Sequence, residues 1–172
     1  MQMTGNSRPA SGAEHHLVHL WDMEVVNGHL DALHGEKVSA GTMLVLLEYK
    51  KIADAIRKGN CKVHTCTEED RELLQSTFGK KGILGAIEKE NTPELLDDVS
   101  TKELSDTLPG ILKIIDALPA VTDMQEMMNT AGCVSRVRDI GLPGEVIEES
   151  LRLAPYTRRR LSLLRLRKML TY

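Results

Sequence analysis

The stretch HGEKVSAGTMLVLLEYKKIADAIRKGN, residues 34–60, decides the fold of this chain. Its apolar residues recur at the three- and four-residue intervals that place side chains on one face of an α-helix. These residues are Val38, Val45, Leu46, Tyr49, Ile52, Ala53 and Ile56. Gly59 and Asn60 then supply a signal that closes a helix. The pattern predicts a long helix that begins near Gly35 or Glu36 and ends near Lys58.

A shorter helix is predicted upstream, over residues 13–26. The apolar residues that would share its buried face are Leu17, Leu20, Trp21 and Val25. Asn27 and Gly28 form a turn signal that stops this helix. Because the chain reverses between the two helices, we expect them to pack side by side and antiparallel.

Capping and proline signals divide the rest of the chain into further helices. Helix starts are predicted at Thr67, Pro93, Ser100, Thr122 and Pro143. Glu103 lies three residues after Ser100, which is the spacing of a capping box. Gln125 follows Thr122 at the same distance. A short apolar helix is also predicted between the prolines at positions 109 and 119.

The composition favours helices over sheets. Among 172 residues, 41% are hydrophobic, but there are only one Trp, one Phe and three Tyr. The core must therefore be built from Leu, Ile, Val and Met, and no segment alternates with the period of a β-strand. The sequence predicts an all-α fold, a bundle of about seven helices that forms one domain over residues 1–172.

Charge and cysteine content exclude several classes of protein. The net charge of -3 argues against a nucleic-acid binder. Three cysteines without paired spacing argue against a disulfide framework, so a reducing, cytoplasmic setting is expected. No apolar run is long enough to span a membrane, and residues 1–6 lack the apolar region of a signal peptide.

Histidines cluster in the segment RPASGAEHHLVH, residues 8–19. His15 and His19 are four residues apart and would lie on one face of a helix. The antiparallel second helix could return His34 to the side of His15. Imidazole nitrogens bind zinc, nickel and iron, so a metal site is one interpretation. Ordinary surface or core histidines are the other.

Two histidines do not complete a metal site, because a catalytic zinc usually has three protein ligands. The nearby carboxylates are Glu14, Asp22 and Glu36. Glu14 directly precedes His15 and is expected on a different helix face. None of the three is an obvious third ligand.

Four other features have a plain structural interpretation beside a functional one. Cys61, His64 and Cys66 lack zinc-knuckle spacing and are predicted to lie in a loop. Arg8 and Ser11 could contact a phosphate or only fix the turn. The stripe of Met124, Met127 and Met128 is predicted to be core packing. The basic run near the C-terminus is predicted to be the solvated face of a packed terminal helix; it comprises Arg158, Arg159, Arg160, Arg165, Arg167 and Lys168.

The strings SRPASGAEHH and HGEKV resemble the start of the C-terminal helical domain of the sn-glycerol-1-phosphate dehydrogenases. That family belongs to the superfamily of metal-dependent alcohol dehydrogenases, glycerol dehydrogenases and 3-dehydroquinate synthases. The first string is specific to the glycerol-1-phosphate branch, whereas H-G-E-x-V is shared more widely. A looser likeness continues through AGCVSRVRDIGLP and PYTRRRLSLLRLRKML, so the resemblance covers nearly the whole chain.

The resemblance implies roles for three histidines. His15 and His34 match the two histidine ligands of the metal, and His19 matches the histidine that lies against the substrate. The implied reaction is reduction of dihydroxyacetone phosphate to glycerol 1-phosphate by NADH or NADPH, with zinc, nickel or iron polarising the carbonyl group. The third ligand of the family is an aspartate of an N-terminal α/β domain that also carries the dinucleotide.

The dinucleotide domain has no counterpart in this sequence. GKKGILG, residues 79–85, contains glycines but no strand precedes it, so no cofactor-binding residue is assigned. We therefore expect a fragment with little or no dehydrogenase activity of its own. Two alternatives stay open: an inactive helical fragment that serves as a binding or dimerisation module, and a 3-dehydroquinate synthase-like enzyme, although Glu14 stands where that group typically has glycine.

Overall fold

The computed structural model describes residues 11–66 and 70–172. Over these ranges the chain forms eight α-helices, several short 3-10 turns and one antiparallel pair of two-residue strands. The helices are α1 (Ala13–Asp22), α2 (His34–Arg57), α3 (Arg71–Phe78), α4 (Leu84–Asn91), α5 (Thr101–Asp116), α6 (Val121–Thr130), α7 (Ile147–Leu153) and α8 (Leu163–Leu166), and the strands are β1 (Lys62–Val63) and β2 (Leu170–Thr171). The predicted all-α multi-helix bundle is confirmed.

Helix α2 is the element that holds the bundle together. The N-terminal half of α2 packs in a first apolar cluster with α1, α7 and the segment after α7, to which it contributes Ala40 and Val45. Its C-terminal half enters a second cluster with α5 and the C-terminus, through Ile52 and Ala53. Tyr49 packs against both clusters. The strong periodicity of residues 34–60 therefore reflects burial along the whole helix.

Helices α1 and α2 cross closely at Gly41. A Cβ atom at this position would lie 3.2 Å from the backbone oxygen of Glu14, closer than most Cβ contacts. One turn earlier in α2, Lys37 donates to Asp22 at 2.6 Å across the same pair of helices. The short separation of the helix axes brings the N-terminus of α2 beside α1.

Helix α1 is shorter than predicted. It ends at Asp22 rather than near Val26, because Glu24 adopts φ 53°, in the left-handed region where a helix cannot continue. Asn27 nevertheless serves the turn, since its side chain donates to the backbone oxygen of Gly28 at 2.6 Å. The helix therefore ends in a turn at Met23 and Glu24, several residues before the predicted stop at Asn27 and Gly28.

Helix α5 confirms one prediction and corrects another. Ser100 caps the helix by accepting from the backbone N–H of Glu103 at 3.3 Å, as the capping-box spacing predicts. Pro109 was expected to begin a separate helix, but it lies inside α5. Burial of Leu104 and Ile115, on either side of the proline, offsets the backbone hydrogen bond that proline cannot make.

Two predicted helix starts are wrong. Pro93 follows a cis peptide bond and opens only a turn, in which Glu94 is engaged by Arg165 rather than by a helix N-terminus. Helix α6 begins before Thr122, with Ala120 as its N-cap, and Gln125 instead donates to Asn129 one turn later. The start predicted at Thr67 lies outside the described residues.

The methionine stripe of α6 is not core. No residue of α6 is buried, and Met127 is 52% exposed. The helix touches α2 along one edge, where Ser39 donates to the sulfur of Met128 at 3.7 Å. A methionine stripe at helical spacing indicates an apolar face, but whether another element covers that face is decided by the tertiary arrangement.

The basic C-terminal run is not a uniformly solvated face. Arg165 is fully buried, and its guanidinium donates to Glu94 at 2.7 Å and to the side-chain oxygen of Asn91 at 2.5 Å. Arg167 is largely buried between Glu48 and Glu148. Both arginines are buried where they pair with carboxylates that are distant in sequence. The run of basic residues near the C-terminus does not by itself reveal these partners.

Among the residues that the structure describes, no helix is both long enough and apolar enough to cross a membrane.

Candidate functional site

The antiparallel packing of α1 and α2 brings His15 and His34 together. Their ring centroids are 5.9 Å apart and their planes are tilted by 56°. Zn–N bonds of about 2.0–2.1 Å at a tetrahedral angle place the ring centroids of two imidazoles on one zinc ion about 5 Å apart. The observed separation of His15 and His34 exceeds that value by less than about 1 Å, so a small movement of either ring would bring both onto one cation.

The ring of His15 is oriented by its neighbour in sequence. Nδ1 of His15 lies 2.9 Å from Oε1 of Glu14, and the same oxygen accepts from the backbone N–H of Gly12 at 2.8 Å. A Cβ atom at position 12 would lie 2.6 Å from Oε2 of Glu14, so a larger residue there would displace the carboxylate from its present position. The expectation that Glu14 faces away from His15 is wrong, because its side chain folds back to the start of the helix.

The burial and the polar contacts of Glu14 act on its charge in opposite directions. Partial burial raises the pKa of Glu14, but its hydrogen bonds with His15 and Gly12 more than compensate, so the pKa is lowered overall. The carboxylate is therefore ionised near neutral pH. An ionised carboxylate on Nδ1 leaves Nε2 of His15 as the nitrogen that can bind a cation.

Three residues of the HGEKV motif make separate contacts at the start of α2. His34 is the first residue of α2 and is 60% exposed. Glu36 accepts from the backbone N–H of Leu33 at 2.7 Å and so caps the helix. Lys37 neutralises Asp22, whose other oxygen lies 3.9 Å from Nδ1 of His34. Glu36 is thus engaged in capping α2, and Asp22 lies on the Nδ1 side of the His34 ring.

His19 lies one turn after His15 on the same helix. Its pKa is lowered, first by partial burial and then by the positive charge of Arg158 and by His15. The neutral imidazole is therefore favoured. A neutral ring carries one N–H donor and one acceptor nitrogen, which suits it to hold a hydroxyl group.

Comparison with curated proteins finds relatives over nearly the whole chain. The sequence is 32% identical over 165 residues to a protein of Halalkalibacterium halodurans named glycerol-1-phosphate dehydrogenase [NAD(P)+], covering 95% of this chain and 33% of that protein. A protein of the same name from Geobacillus stearothermophilus is 25% identical over 155 residues, covering 90% of this chain and 31% of the relative. One from Methanococcoides burtonii is 41% identical over 61 residues, covering 33% of this chain and 16% of the relative.

The chain is related to the glycerol-1-phosphate dehydrogenases. It spans about a third of the length of the two bacterial relatives it matches. No family model and no solved structure matches the sequence.

The described residues do not supply a third metal ligand beside His15 and His34. Residues 11–66 and 70–172 contain no group of three His, Cys, Asp or Glu side chains placed to hold a metal. Cys61, His64 and Cys66 flank β1 without forming such a group, and Nδ1 of His64 contacts the backbone oxygen of Thr65. Within the described residues, His15 and His34 could therefore provide only two of the ligands that a cation needs.

Arg8 and Ser11 were expected either to contact a phosphate or to fix the turn. Arg8 lies outside the described residues. The backbone oxygen of Ser11 accepts from Nη1 of Arg160 at 2.6 Å, so this segment is joined to an arginine from the other end of the chain.

Helical spacing directs His16 away from the face that His15 and His19 share, but it does not show that His16 is buried. His16 is 1% exposed, and neither of its ring nitrogens has a hydrogen-bond partner in the part of the chain that the structure describes. Burial, followed by the charges of Arg160 and Arg165, lowers its pKa to about 4. Of the two adjacent histidines, His15 therefore lies at the candidate site and His16 lies in the core. Adjacent residues on a helix point in different directions, which is why the two rings separate.

A cavity of about 1020 Å³ lies away from His15, His19 and His34, and His64 is among the residues that line it. The C-terminal half of α2, α7 and the C-terminal residues line it, and Glu48, Arg152 and Lys168 are among its polar groups. Its charges are mostly paired with one another, as in the contact of Arg152 with Asp70 at 2.7 Å. The charged residues that line this cavity therefore form a structural ion-pair network.

Proposed function

We propose that this chain supplies the metal- and substrate-binding helices of an NAD(P)-dependent sn-glycerol-1-phosphate dehydrogenase. The observation that carries the proposal is the pairing of His15 with His34 at 5.9 Å, together with the Glu14 carboxylate on Nδ1 of His15. The names of the curated relatives support the same activity. These names favour a dehydrogenase over a 3-dehydroquinate synthase-like enzyme.

Each histidine has a defined task in this proposal. His15 and His34 present imidazole nitrogens to one divalent cation, with zinc first and nickel or iron as alternatives. When bound, the cation would polarise the carbonyl oxygen of dihydroxyacetone phosphate, while NAD(P)H held by a separate domain would supply the reducing equivalent. His19, kept neutral, would hydrogen-bond a substrate hydroxyl and could pass a proton to the developing alcohol.

Glu14 is a positioning residue in the same scheme. A carboxylate on Nδ1 fixes the tautomer of a ligating histidine and raises the basicity of Nε2. Completion of the cation site would require a further ligand from outside the described residues, and the aspartate implied by the family resemblance is the first candidate. We propose a small-molecule substrate, a cytoplasmic location and a homo-oligomer for the assembled enzyme, with no nucleic-acid partner.

Zinc titration of the purified 172-residue chain by calorimetry tests the cation site. We expect one zinc ion per chain, and we expect His15→Ala and His34→Ala each to weaken its binding strongly. His29→Ala is the matched control, because His29 also pairs with a glutamate, Glu24, at 2.9 Å but is 79% exposed. Equal loss of affinity in all three variants would contradict the proposal.

Activity assays test the need for a further domain. The purified chain with zinc, NAD(P)H and dihydroxyacetone phosphate is expected to show no turnover above background, since residues 11–66 and 70–172 supply neither a third ligand nor a dinucleotide fold. Robust turnover would refute this expectation.

A second candidate is a binding or dimerisation module without activity. The exposed apolar side chains of α5 and α6, such as Ile114 at 69% and Met127 at 52%, favour association with another surface. Sedimentation of the zinc-free chain separates the two candidates. Self-association that Met127→Glu abolishes, together with absence of zinc binding, would favour this second function.

A further inference from the structure

Helices α5 and α6 lie one after the other along α2. Helix α5 contacts β1, which follows α2, and it ends where Nζ of Lys50 donates to the carbonyl oxygens of Ile115 and Leu118 at 2.9 and 3.1 Å. Helix α6 then reaches Ser39, whose hydroxyl donates to the sulfur of Met128 at 3.7 Å. Ser39 and Lys50 lie about 16 Å apart along α2, given the rise of an α-helix. This separation matches the length of the ten-residue α6, so both helices run antiparallel to α2.

Ile114 and Met127 are exposed on the same flank of this pair of helices. Each directly precedes the residue that its helix turns toward α2, which is Ile115 in α5 and Met128 in α6. Successive residues of an α-helix are rotated by about 100°, so two helices that run in the same direction present both residues on the same side. Ile114 is 69% exposed, Met127 is 52% exposed, and Leu118, one turn after Ile114, is 37% exposed. We call these three residues the apolar stripe.

Opposite charges lie beside the two ends of the apolar stripe. Lys113 directly precedes Ile114, whereas Glu126 directly precedes Met127 and Asp123 lies one turn earlier in α6. The three charged side chains are exposed, and none of them forms an ion pair within residues 11–66 and 70–172. The stripe is therefore flanked by a cation in α5 and by anions in α6.

A second copy of this chain matches this distribution of charge and apolar surface. A two-fold axis near Pro119, at the junction of the helices, would lay α5 of one copy against α6 of the other. Ile114 and Met127 lie at similar distances on either side of Pro119, so Ile114 of each copy would face Met127 of the other, and Lys113 would face Glu126. A groove of about 480 Å³ beside Glu126 and Met127 offers space for the Ile114 side chain. Such a contact is self-complementary, as a closed two-fold interface requires.

We propose that the apolar stripe is a two-fold interface between two copies of this chain, with Ile114 packed on Met127 and Lys113 paired with Glu126. The inference rests on the homo-oligomer of the proposed function and names its contact surface, but it does not use the histidines. The acidic residues of α6 alone would suit any basic partner. Lys113 beside Ile114 supplies the matching cation on this same chain, which favours a second copy as the occupant.

Sedimentation equilibrium of the purified 172-residue chain in EDTA tests the interface. We expect reversible association of monomers into dimers. Lys113→Glu and Glu126→Lys each place like charges opposite one another at both symmetric positions, so each should raise the dimer dissociation constant about tenfold or more. Lys102→Glu is the matched control, because Lys102 is an exposed lysine at the other end of α5. It should change the dissociation constant by less than about threefold.

A mixture of the two single variants distinguishes this pairing from a general loss of association. In a mixed dimer of Lys113→Glu with Glu126→Lys, both contacts again join opposite charges. The equimolar mixture should therefore regain the wild-type dissociation constant to within about threefold, although each variant alone does not. The double variant with both substitutions should dimerise with itself for the same reason. Thermal melts of every variant verify that the fold is retained.

Three results would overturn the proposal. The first is a wild-type chain that stays monomeric at about 1 mM, which would leave this face to a different partner. The second is an association that neither charge reversal weakens. The third is a mixture that stays as weakly associated as its separate components. Because EDTA removes divalent metals, a failed zinc titration beside a restored mixed dimer would reject the cation site alone, and the converse pair of results would reject the interface alone.

Discussion

The carboxylate of Glu14 lies 2.9 Å from Nδ1 of His15, although the two residues are adjacent on helix α1. Adjacent helical residues point about 100° apart, so this contact depends on the length of the glutamate and on the turn at Gly12. The same oxygen of Glu14 caps the backbone and orients the imidazole. One side chain therefore links the start of the helix to the orientation of the candidate ligand.

Removal of this carboxylate is expected to weaken zinc binding. Outer-sphere partners of a ligating histidine typically contribute about 10- to 100-fold to metal affinity, so Glu14→Ala should lower the affinity in that range. Calorimetric titration with zinc measures the change. Glu24→Ala is the control, because it removes the same kind of contact from His29, far more exposed than His15. Identical affinities for the wild type and Glu14→Ala would exclude an orienting role.

The buried His16 is expected to make the protein sensitive to acid. Its pKa is lowered from 6.5 in the unfolded chain to about 4 in the fold, so the unfolded state binds a proton first as pH falls. The stabilisation present above pH 6.5 is then lost progressively down to about pH 4, by roughly 3 kcal/mol. Urea unfolding between pH 4 and 7 measures this slope.

Replacement of His16 by leucine separates this effect from the titration of carboxylates. His16→Leu should flatten the decline of the free energy of unfolding between pH 6.5 and 4, because no proton can then bind at this position. His29→Leu, at an exposed position, should leave the decline unchanged. A His16→Leu variant with the wild-type slope would show that another group causes the acid sensitivity.

The buried Glu48 is expected to depend on Arg167. Glu48 is 2% exposed and accepts from Nε of Arg167 at 2.6 Å and from the hydroxyl of Tyr172. Arg167→Met would leave the carboxylate without its main counter-charge, which typically costs about 3–5 kcal/mol. Arg57→Met, which breaks exposed ion pairs with Asp54 and Asp116, should cost less than about 1 kcal/mol. Chemical denaturation compares the two.

The pKa of Glu48 gives this prediction a pH dependence. Burial raises the pKa of Glu48, but its hydrogen bond with Tyr172 and the charge of Arg167 bring it below the usual value. The pair therefore stabilises the fold above the unfolded pKa, and the contribution is lost as pH falls through the lower folded pKa. The difference between wild type and Arg167→Met should shrink in strong acid. A difference that is constant with pH would contradict an ionised Glu48.

Substitutions at Gly41, where α1 and α2 cross, and at Gly110, in α5, are expected to have opposite effects on stability. Gly41→Val places side-chain atoms against the backbone oxygen of Glu14, 3.2 Å from its Cβ, and should destabilise the fold by about 1–3 kcal/mol. Gly110→Ala in α5 meets open space and should stabilise it by about 0.5–1 kcal/mol. Thermal melts measure both. The ring contact of His15 with His34 should also loosen in Gly41→Val, and its zinc affinity should fall.

The sequence predicted the helices that carry the histidines, and with them the neighbourhood of His15 and His34. Helical period, a turn signal and short connection length are local properties, and they suffice to fold one helix back along another. They did not reveal that Glu14 reaches His15, or that His16 is buried with no hydrogen-bond partner among the described residues. Each of these facts depends on the path of a side chain or on a segment more than a hundred residues away.

By itself the sequence determined that the chain is helical and roughly where α1 and α2 begin, because the hydrophobic period acts within a few residues. Only the tertiary structure decided which apolar and charged faces are covered. In α6, Met127 stays exposed while Met128 contacts α2, and Arg165 and Arg167 become buried because Glu94 and Glu48 meet them there. Burial is set by the sum of long-range contacts, so the same local pattern can end in solvent or in the core.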